Sequence, residues 1–265
     1  MAADTIAPIE SPGTASVRLL DWDTRFFGAR MGVIDLGAEA SPASLASELE
    51  QAAARARRDA FEHVIFRCDG ERWESAWAAA EAGLRLVDVG VDLECRDLAL
   101  RVMVSGGRCR AWQPDDLPAL RKIAAESFVF SRFAVDPFFS RAQVEAFHAE
   151  WVTNLCAGLA DAVLVAGEVG SPVGFVSCSM AGDRGRIPLI AVSADARGRG
   201  VGDQLMAAAR AWFAGNGAVE AWVKTQAQNY PALRLYARHG FLPGRSEFVF
   251  SIDLRGPEGV AGGRS

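Results

Sequence analysis

Residues 194–213 read ADARGRGVGDQLMAAARAWF, and the fold turns on how the Arg-Gly alternation near the start is understood. The run Arg197-Gly198-Arg199-Gly200-Val201-Gly202 follows the apolar stretch IPLIAV (187–192). It opens a segment whose apolar residues, Val201, Leu205, Ala208, Ala209, Trp212 and Phe213, recur at helical spacing. A strand therefore runs through a glycine-rich turn into an amphipathic helix. Glycines there let backbone amides come close to a ligand. The unpaired N–H groups and the helix dipole favour a phosphate or pyrophosphate, and the arginines add charge. The spacing is neither a dinucleotide fingerprint nor a P-loop, and alone it also fits a plain turn with solvated arginines.

Outward from this turn the chain alternates strands and amphipathic helices. Toward the N-terminus, AVLVAGEV (162–169) and PVGFVSCSMAG (172–182) are strands joined by a Gly170-Ser171-Pro172 hairpin turn. Before them come CRAW (109–112) as a strand, then helices in PDDLPALRKIAAESF (114–128) and RAQVEAFHAEWVTNLCAGL (141–159). Beyond the turn lie the strand AVEAWVK (218–224), a helix around Arg234 and a last strand, EFVFSIDL (247–254). An earlier series reads VRLLDW (17–22) and MGVIDL (31–36) as strands and 42–58 as a helix. It continues with EHVIFRC (62–68) as a buried strand, RWESAWAAAEAG (72–83) as a helix ended by Gly83, and 84–95 as a strand. SGG at 105–107 separates the two series. This gives modules over 16–105 and 106–255, with loose Gly/Pro/Ser/Ala tails at 1–15 and 256–265.

The modules echo each other. Strand, helix ending in Gly, apolar residue and strand follow in the same order in 61–95 and 218–254. Ala79, four before Gly83, stands where Tyr236 stands before Gly240. The chemistry is therefore expected in the second copy. The chain's two tyrosines, Tyr230 and Tyr236, fall in NYPALRLYARHGF (229–241). Asn229 is a natural helix N-cap and Pro231 a first-turn proline.

Arg-x-x-Gly-x-Gly after LIAV, then Asn-x-x-Ala-x-x-x-Tyr-x-x-x-Gly-Phe after the next strand, resembles the GNAT family of acetyl-CoA-dependent N-acetyltransferases over about 108–254. The resemblance implies an α+β protein with a GNAT fold, a mixed, mostly antiparallel central sheet flanked by helices, preceded by a smaller degenerate half-GNAT module. It implies that the amides of Arg197, Gly198, Arg199, Gly200, Val201 and Gly202 hold the CoA pyrophosphate. The strand Ile190-Ala191-Val192 would splay from its neighbour and pair with the acetyl group and pantetheine arm, an amide N–H polarising the thioester carbonyl. Asn229 would bind the cofactor or orient its helix. Tyr236 takes the position of the acid that protonates the departing thiolate, whereas Tyr230 guards the helix entrance. A general base is not evident: Glu168, Asp183, Glu94 and Asp92 read as strand-end charges, and His148 as a partly buried helix residue.

The N-terminal half narrows the resemblance. LLDWDTRFFGARMGVIDL (19–36), VDLEC (91–95), the stretch 115–139 and FHAEWVTNL (147–155) are similar, in order, to the bacterial TDP-fucosamine acetyltransferases, which carry a half-GNAT module before the catalytic one. This implies a nucleotide-linked 4-amino-4,6-dideoxy sugar as acceptor and makes a homodimer plausible. Arg132, Phe133 and Phe138 form an aromatic loop beside an arginine, suited to a thymine and a diphosphate, although a lid or dimer contact fits it too. Another small amine as acceptor, or a noncatalytic acyl-CoA-binding module, are the competing readings. Retention of both Asn229 and Tyr236 argues against the last.

Composition agrees with an enzyme of this kind. A net charge of −5 without a long basic run gives no nucleic-acid footprint. Five scattered cysteines without CxxC spacing and three dispersed histidines predict reduced thiols and no metal. Neither a secretory signal nor a membrane span is evident, so a cytoplasmic location is expected.

Overall fold

In a computed structural model, residues 15–36, 43–98 and 109–256 are described. The elements run β1 (Ser16–Leu19), α1 (Asp21–Phe27), β2 (Met31–Asp35), α2 (Leu45–Arg58), β3 (His63–Asp69), α3 (Trp73–Glu81), β4 (Arg85–Cys95) and β5 (Arg110–Ala111). There follow α4 (Leu117–Ser127), α5 (Arg132–Val135), α6 (Arg141–Asn154), β6 (Ala162–Glu168), β7 (Ser171–Ala181), β8 (Arg184–Ile187) and β9 (Ile190–Val192). The chain ends with α7 (Val201–Gly215), β10 (Glu220–Gln226), α8 (Tyr230–Arg238) and β11 (Leu242–Asp253). The strands pair in a mixed, mostly antiparallel manner, as the resemblance implies.

Two compact units divide these elements, and neither is continuous in sequence. One takes its described residues from 15–90, 131–143 and 246–256; the other spans 91–130 and 144–245. The boundary at 105–107 and nearly all of both tails lie outside the described residues. In the first unit β2 runs parallel to β3 and antiparallel to β1, and β11 joins antiparallel to β3. Leu49, Ala52 and Ala56 of α2 and Ala76 and Ala79 of α3 close over the sheet as one apolar cluster. In the second unit the order is β4-β10-β8-β7-β6-β5, with β9 paired, among the described residues, to β7 alone.

Two sequence expectations differ locally. DW of VRLLDW begins α1 and does not extend β1. Asp21 and Asp23 sit in the first turn, where the helix dipole favours acids, and Gly28 ends the helix at φ 67°. The strand expected over 187–192 is broken at Pro188 into β8 and β9, since proline has no ladder N–H to give. The echo between modules reaches the hydrogen bonds. Leu84 N–H donates to the Ala79 carbonyl (2.9 Å), as Phe241 N–H does to that of Tyr236 (3.0 Å). Each helix thus closes in a six-to-one cap around a glycine at φ 80°, Gly83 or Gly240.

His148 of α6 is buried among Phe128, Phe147 and Trp151. Burial lowers its pKa to about 4, although the Val144 carbonyl that accepts from Nδ1 works the other way. The unfolded chain takes up this proton near pH ~6.5 and the folded one does not. Its contribution to stability is therefore complete above that pH and lost as pH falls toward 4. Urea unfolding should give about 2 kcal/mol less stability at pH 5 than at pH 7 from this group. His148→Phe should flatten that dependence; an unchanged pH slope would show that burial of the imidazole is not its source.

Candidate active site

The site starts from a mismatch in register. β7 pairs with β8 as Ser179↔Arg186 and Ala181↔Arg184, but with β9 as Val176↔Ile190 and Gly174↔Val192. Between these ladders Ile187, Pro188 and Leu189 face only Ser177 and Cys178, so one extra residue bulges out. β10 follows β8 in parallel through Ile187↔Val223 and pairs no further. Past the bulge, β9 has β7 on one side and no strand on the other among the described residues.

Alternation decides which groups face that open side. The Leu189 carbonyl accepts from Ser177 N–H, and Ser193 N–H donates to the Val173 carbonyl, both toward β7. Ala191, midway between them, has the same orientation, and Ile190 and Val192 point their backbone groups the other way. The Val192 carbonyl accordingly accepts Nε of Arg197 at 3.1 Å. Of the three residues expected to meet the acyl group, two thus present amides to the open edge. The polar groups of Ala191 face β7.

The glycine-rich turn has the conformation its composition suggested. Gly198 and Gly200 lie at φ 73° and 78°, where side chains are disfavoured, and a Cβ at Gly198 would meet nothing within 4 Å. The first α7 amide to find a carbonyl in the preceding turn is that of Gln204, on Gly200. The N–H groups of Val201, Gly202 and Asp203 have no intrahelical partner. Successive amides around two left-handed glycines at a helix start form an anion-binding concavity. Gly202 has a further role, because a Cβ there would stand 3.2 Å from Leu235 Cδ2 of α8. Arg197 ties the turn to β9 and Arg199 is exposed.

Helix α8 is built from its N-cap. Asn229 Oδ1 accepts from Ala232 N–H (3.4 Å), and Nδ2 donates to Thr225 Oγ1 (3.1 Å). The C-terminal end of α8 is fixed to the first turn of α7. Arg238 donates to both oxygens of Asp203 (3.0 and 3.1 Å), and His239 Nε2 lies 3.1 Å from Oδ1. Burial lowers the His239 pKa against the pull of Asp203, which keeps the ring neutral with Nε2 as donor. The helix that carries the anion cradle and the helix that carries the tyrosines are held as one piece.

The two tyrosines differ in burial. Tyr230 is 62% exposed, and Tyr236 only 3%. Tyr236 shares an apolar cluster with Ile190, Val192 and Val201, so the structure gathers it with β9 and the cradle. Burial raises its pKa far above the ordinary tyrosine value. None of the carboxylates considered as a base joins this group. Glu94 pairs with Arg96 and Arg184, Asp92 with Lys224, and Glu168 and Asp183 are exposed at strand ends.

Arg132, Phe133 and Phe138 belong to the first unit. Phe133 and Phe138 are buried: Phe133 packs on Phe27 and Phe139, and Phe138 on His63 and the Arg255 guanidinium. Arg132 pairs with Asp23 at 3.2 Å. Asp136 completes this region by accepting from His63 Nε2 at 2.8 Å. The side chains that sequence reading gave to a nucleotide are engaged in packing. Ser177, which stands at the bulge, carries no sequence signal, because a serine inside an apolar strand is unremarkable.

An open strand edge, a left-handed glycine turn and a buried tyrosine on the next helix are thus gathered in one region. The sequence profile of the acetyltransferase (GNAT) family matches residues 118–241. The chain carries a GNAT acetyltransferase domain over these residues. It is 29% identical over 236 residues to the dTDP-fucosamine acetyltransferase of Escherichia coli O6:H1, covering 86% of this chain and 94% of that one. A second relative, the spore coat polysaccharide biosynthesis protein SpsD of Bacillus subtilis (strain 168), is 29% identical over 140 residues, 53% of this chain and 48% of its own. Among solved structures, a GCN5-related N-acetyltransferase from Sphaerobacter thermophilus has the same fold. It has a TM-score of 0.64 at 16% identity and covers 91% of this chain and 76% of that one. Among the described residues no group of His, Cys, Asp or Glu is arranged to hold a metal, and no helix is long and apolar enough to cross a membrane.

A side chain at Gly200 would force a left-handed conformation costing about 1–2 kcal/mol. Gly200→Ala should therefore weaken CoA binding roughly tenfold in isothermal titration. An unchanged Kd would remove this turn from the cofactor site.

Proposed function

We propose that the protein transfers the acetyl group of acetyl-CoA to the 4-amino group of a nucleotide-linked 4-amino-4,6-dideoxy sugar, with TDP as the nucleotide. The observation that carries this reading is the nearly end-to-end match to dTDP-fucosamine acetyltransferase, which includes the N-terminal module. The second relative, named for polysaccharide biosynthesis, supports the same class of acceptor.

Acetyl-CoA supplies an activated acyl group whose leaving group is a thiolate. The amides of 198–203 suit its pyrophosphate, and the outward edge of β9 suits the pantetheine arm and the acyl oxygen. A neutral amine forms the N–C bond as the C–S bond breaks. The Ile190 and Val192 amides at the open edge are placed to stabilise charge growing on the acyl oxygen. Tyr236 donates its proton to the sulfur, and the proton lost by the nitrogen returns to the tyrosine through water. Its raised pKa keeps the hydroxyl protonated across the neutral range. Asn229 serves this arrangement by starting the helix on which Tyr236 rides.

A homodimer is also proposed. Trp73 and Trp77 stand one turn apart on α3 at 54% and 65% exposure, beside the half-buried Phe248. Arg72 precedes α3 and Glu81 ends it, so a second α3 lying antiparallel would bring each arginine to the other's glutamate. The five unpaired cysteines suit the reducing cytoplasm, where we place the reaction.

The substrate claim is tested by acetyl-CoA turnover against amino-sugar nucleotides, polyamines, amino acids and aminoglycosides. Selectivity for the TDP-linked 4-amino sugar is expected, and equal rates with simple amines would sink it. Tyr236→Phe should lower kcat about 10²-fold or more with little change in CoA affinity; a near-normal rate would make Tyr236 a packing residue. Sedimentation at micromolar concentration should show a dimer that Trp77→Glu converts to monomer, whereas a monomeric wild type refutes this interface.

A further inference from the structure

We infer that Ser177 is a positioning residue for acetyl transfer: its hydroxyl closes the gap that the bulge opens between β7 and β9, and so sets where the β9 amides stand. The inference rests on the reading of β9 as the acyl-binding edge.

An extra residue in one strand leaves ladder groups without partners. Here three residues, Ile187, Pro188 and Leu189, must be matched by two, and the middle one has no N–H. The first β9-side amide after this irregularity is that of Leu189. It donates to the side-chain oxygen of Ser177 at 2.9 Å, in place of a backbone carbonyl. The same hydroxyl donates to the Leu189 carbonyl at 3.1 Å, and that carbonyl also accepts the Ser177 N–H at 2.9 Å. Ser177 is fully buried, so water has no access to replace either bond. One side chain thus acts as the missing rung of the ladder.

The location gives this rung a consequence for chemistry. Leu189 immediately precedes Ile190, and β8 and β10 part at the same level. The splay between β9 and β10 begins at this rung. Downstream the ladder is regular, from Val176↔Ile190 to Gly174↔Val192, so an error at Leu189 is carried to both outward amides. No residue of the cradle or of α8 is bonded to Ser177, so its influence on CoA affinity should be small. A shift of about 1 Å at reacting groups costs on the order of 10²-fold in rate, whereas pyrophosphate binding at α7 is untouched.

The test compares Ser177→Ala, Ser177→Thr and Ser177→Cys with wild type on the best acceptor found. Ser177→Ala should lower kcat at least tenfold while the Kd for CoA changes less than threefold. Ser177→Thr, which keeps the hydroxyl, should recover most of the rate. Ser177→Cys, close in volume and a weak hydrogen-bonding group, should fall between, and it serves if the alanine variant does not fold. Hydrogen exchange should accelerate at the amides of 189–192 in Ser177→Ala and remain unchanged in α7. An active wild type matched in kcat by Ser177→Ala overturns the role of Ser177 alone. Equal losses in alanine and threonine variants also overturn it, because the hydroxyl would then not be the operative group. A wild type that binds CoA but acetylates no amine overturns the proposed function, and this role with it.

Discussion

Proline has no N–H to give a β-ladder, and in this chain that constraint falls at Pro188, between β8 and β9. The strand cannot remain in register with β7 across it, so an extra residue is accommodated and the two halves of the strand part company. β8 stays between β7 and β10, whereas β9 keeps only β7 among the described residues. An open backbone edge in the interior of a sheet is otherwise hard to make, because neighbouring strands tend to complete their pairing. The bulge makes one locally, with the outward backbone groups those of Ile190 and Val192. The glycine turn and α7 then follow directly, and Arg197 reaches back to the Val192 carbonyl. Edge and cradle are thus consecutive in sequence and tied by a hydrogen bond, and each fixes the position of the other.

The second element of the site is held to the first by charge. Asp203 in the opening turn of α7 accepts from Arg238 and His239, which lie at the far end of α8. An acid in a first helical turn is favourable in itself, but it would repel an anion bound at the same turn. Pairing with the Arg238 guanidinium offsets that repulsion while keeping the helix–helix contact. Gly202 allows α8 close enough for this to occur, with Leu235 packed where a side chain would otherwise stand. The third glycine of the motif therefore serves packing at least as much as ligand contact.

Local signals were legible in the sequence wherever neighbours along the chain determine the structure. The Arg-Gly turn, the Asn229 cap with Pro231, the hairpin at Gly170 and the helix-ending Gly83 and Gly240 all depend on residues within a few positions. The difference between Tyr230 and Tyr236 was legible too, since one lies at a helix start and the other on the face that leads into Gly240-Phe241. What escaped depends on partners distant in sequence. Phe133 and Phe138 looked like ligand platforms because an aromatic cluster in a loop has no visible core. Their core comes from Phe27 and His63, and Arg132 meets Asp23 across 109 positions. Ser177 was silent for the same reason: its value lies in a bulge twelve residues away. Asp21 and Trp22 of α1 read as the end of a strand because LLDW is as apolar as one, and only the acids at the helix start and Gly28 at its end distinguish it.

Burial of Tyr236 raises a question about the proposed proton transfer. An ordinary tyrosine lies about 1.5 pKa units above an ordinary thiol, so protonating a thiolate from it is uphill by roughly 2 kcal/mol in water. Burial raises the tyrosine further, and alone would make it a poorer acid. The sulfur, however, would acquire its charge in the same apolar surroundings formed by Ile190, Val192 and Val201. Desolvation disfavours a thiolate as it disfavours a phenolate, so both values rise and their difference remains small. In the proposed transfer, a bond from the hydroxyl to the departing sulfur would strengthen as charge develops. The buried Tyr236 thus suits the proposed role better than the exposed Tyr230.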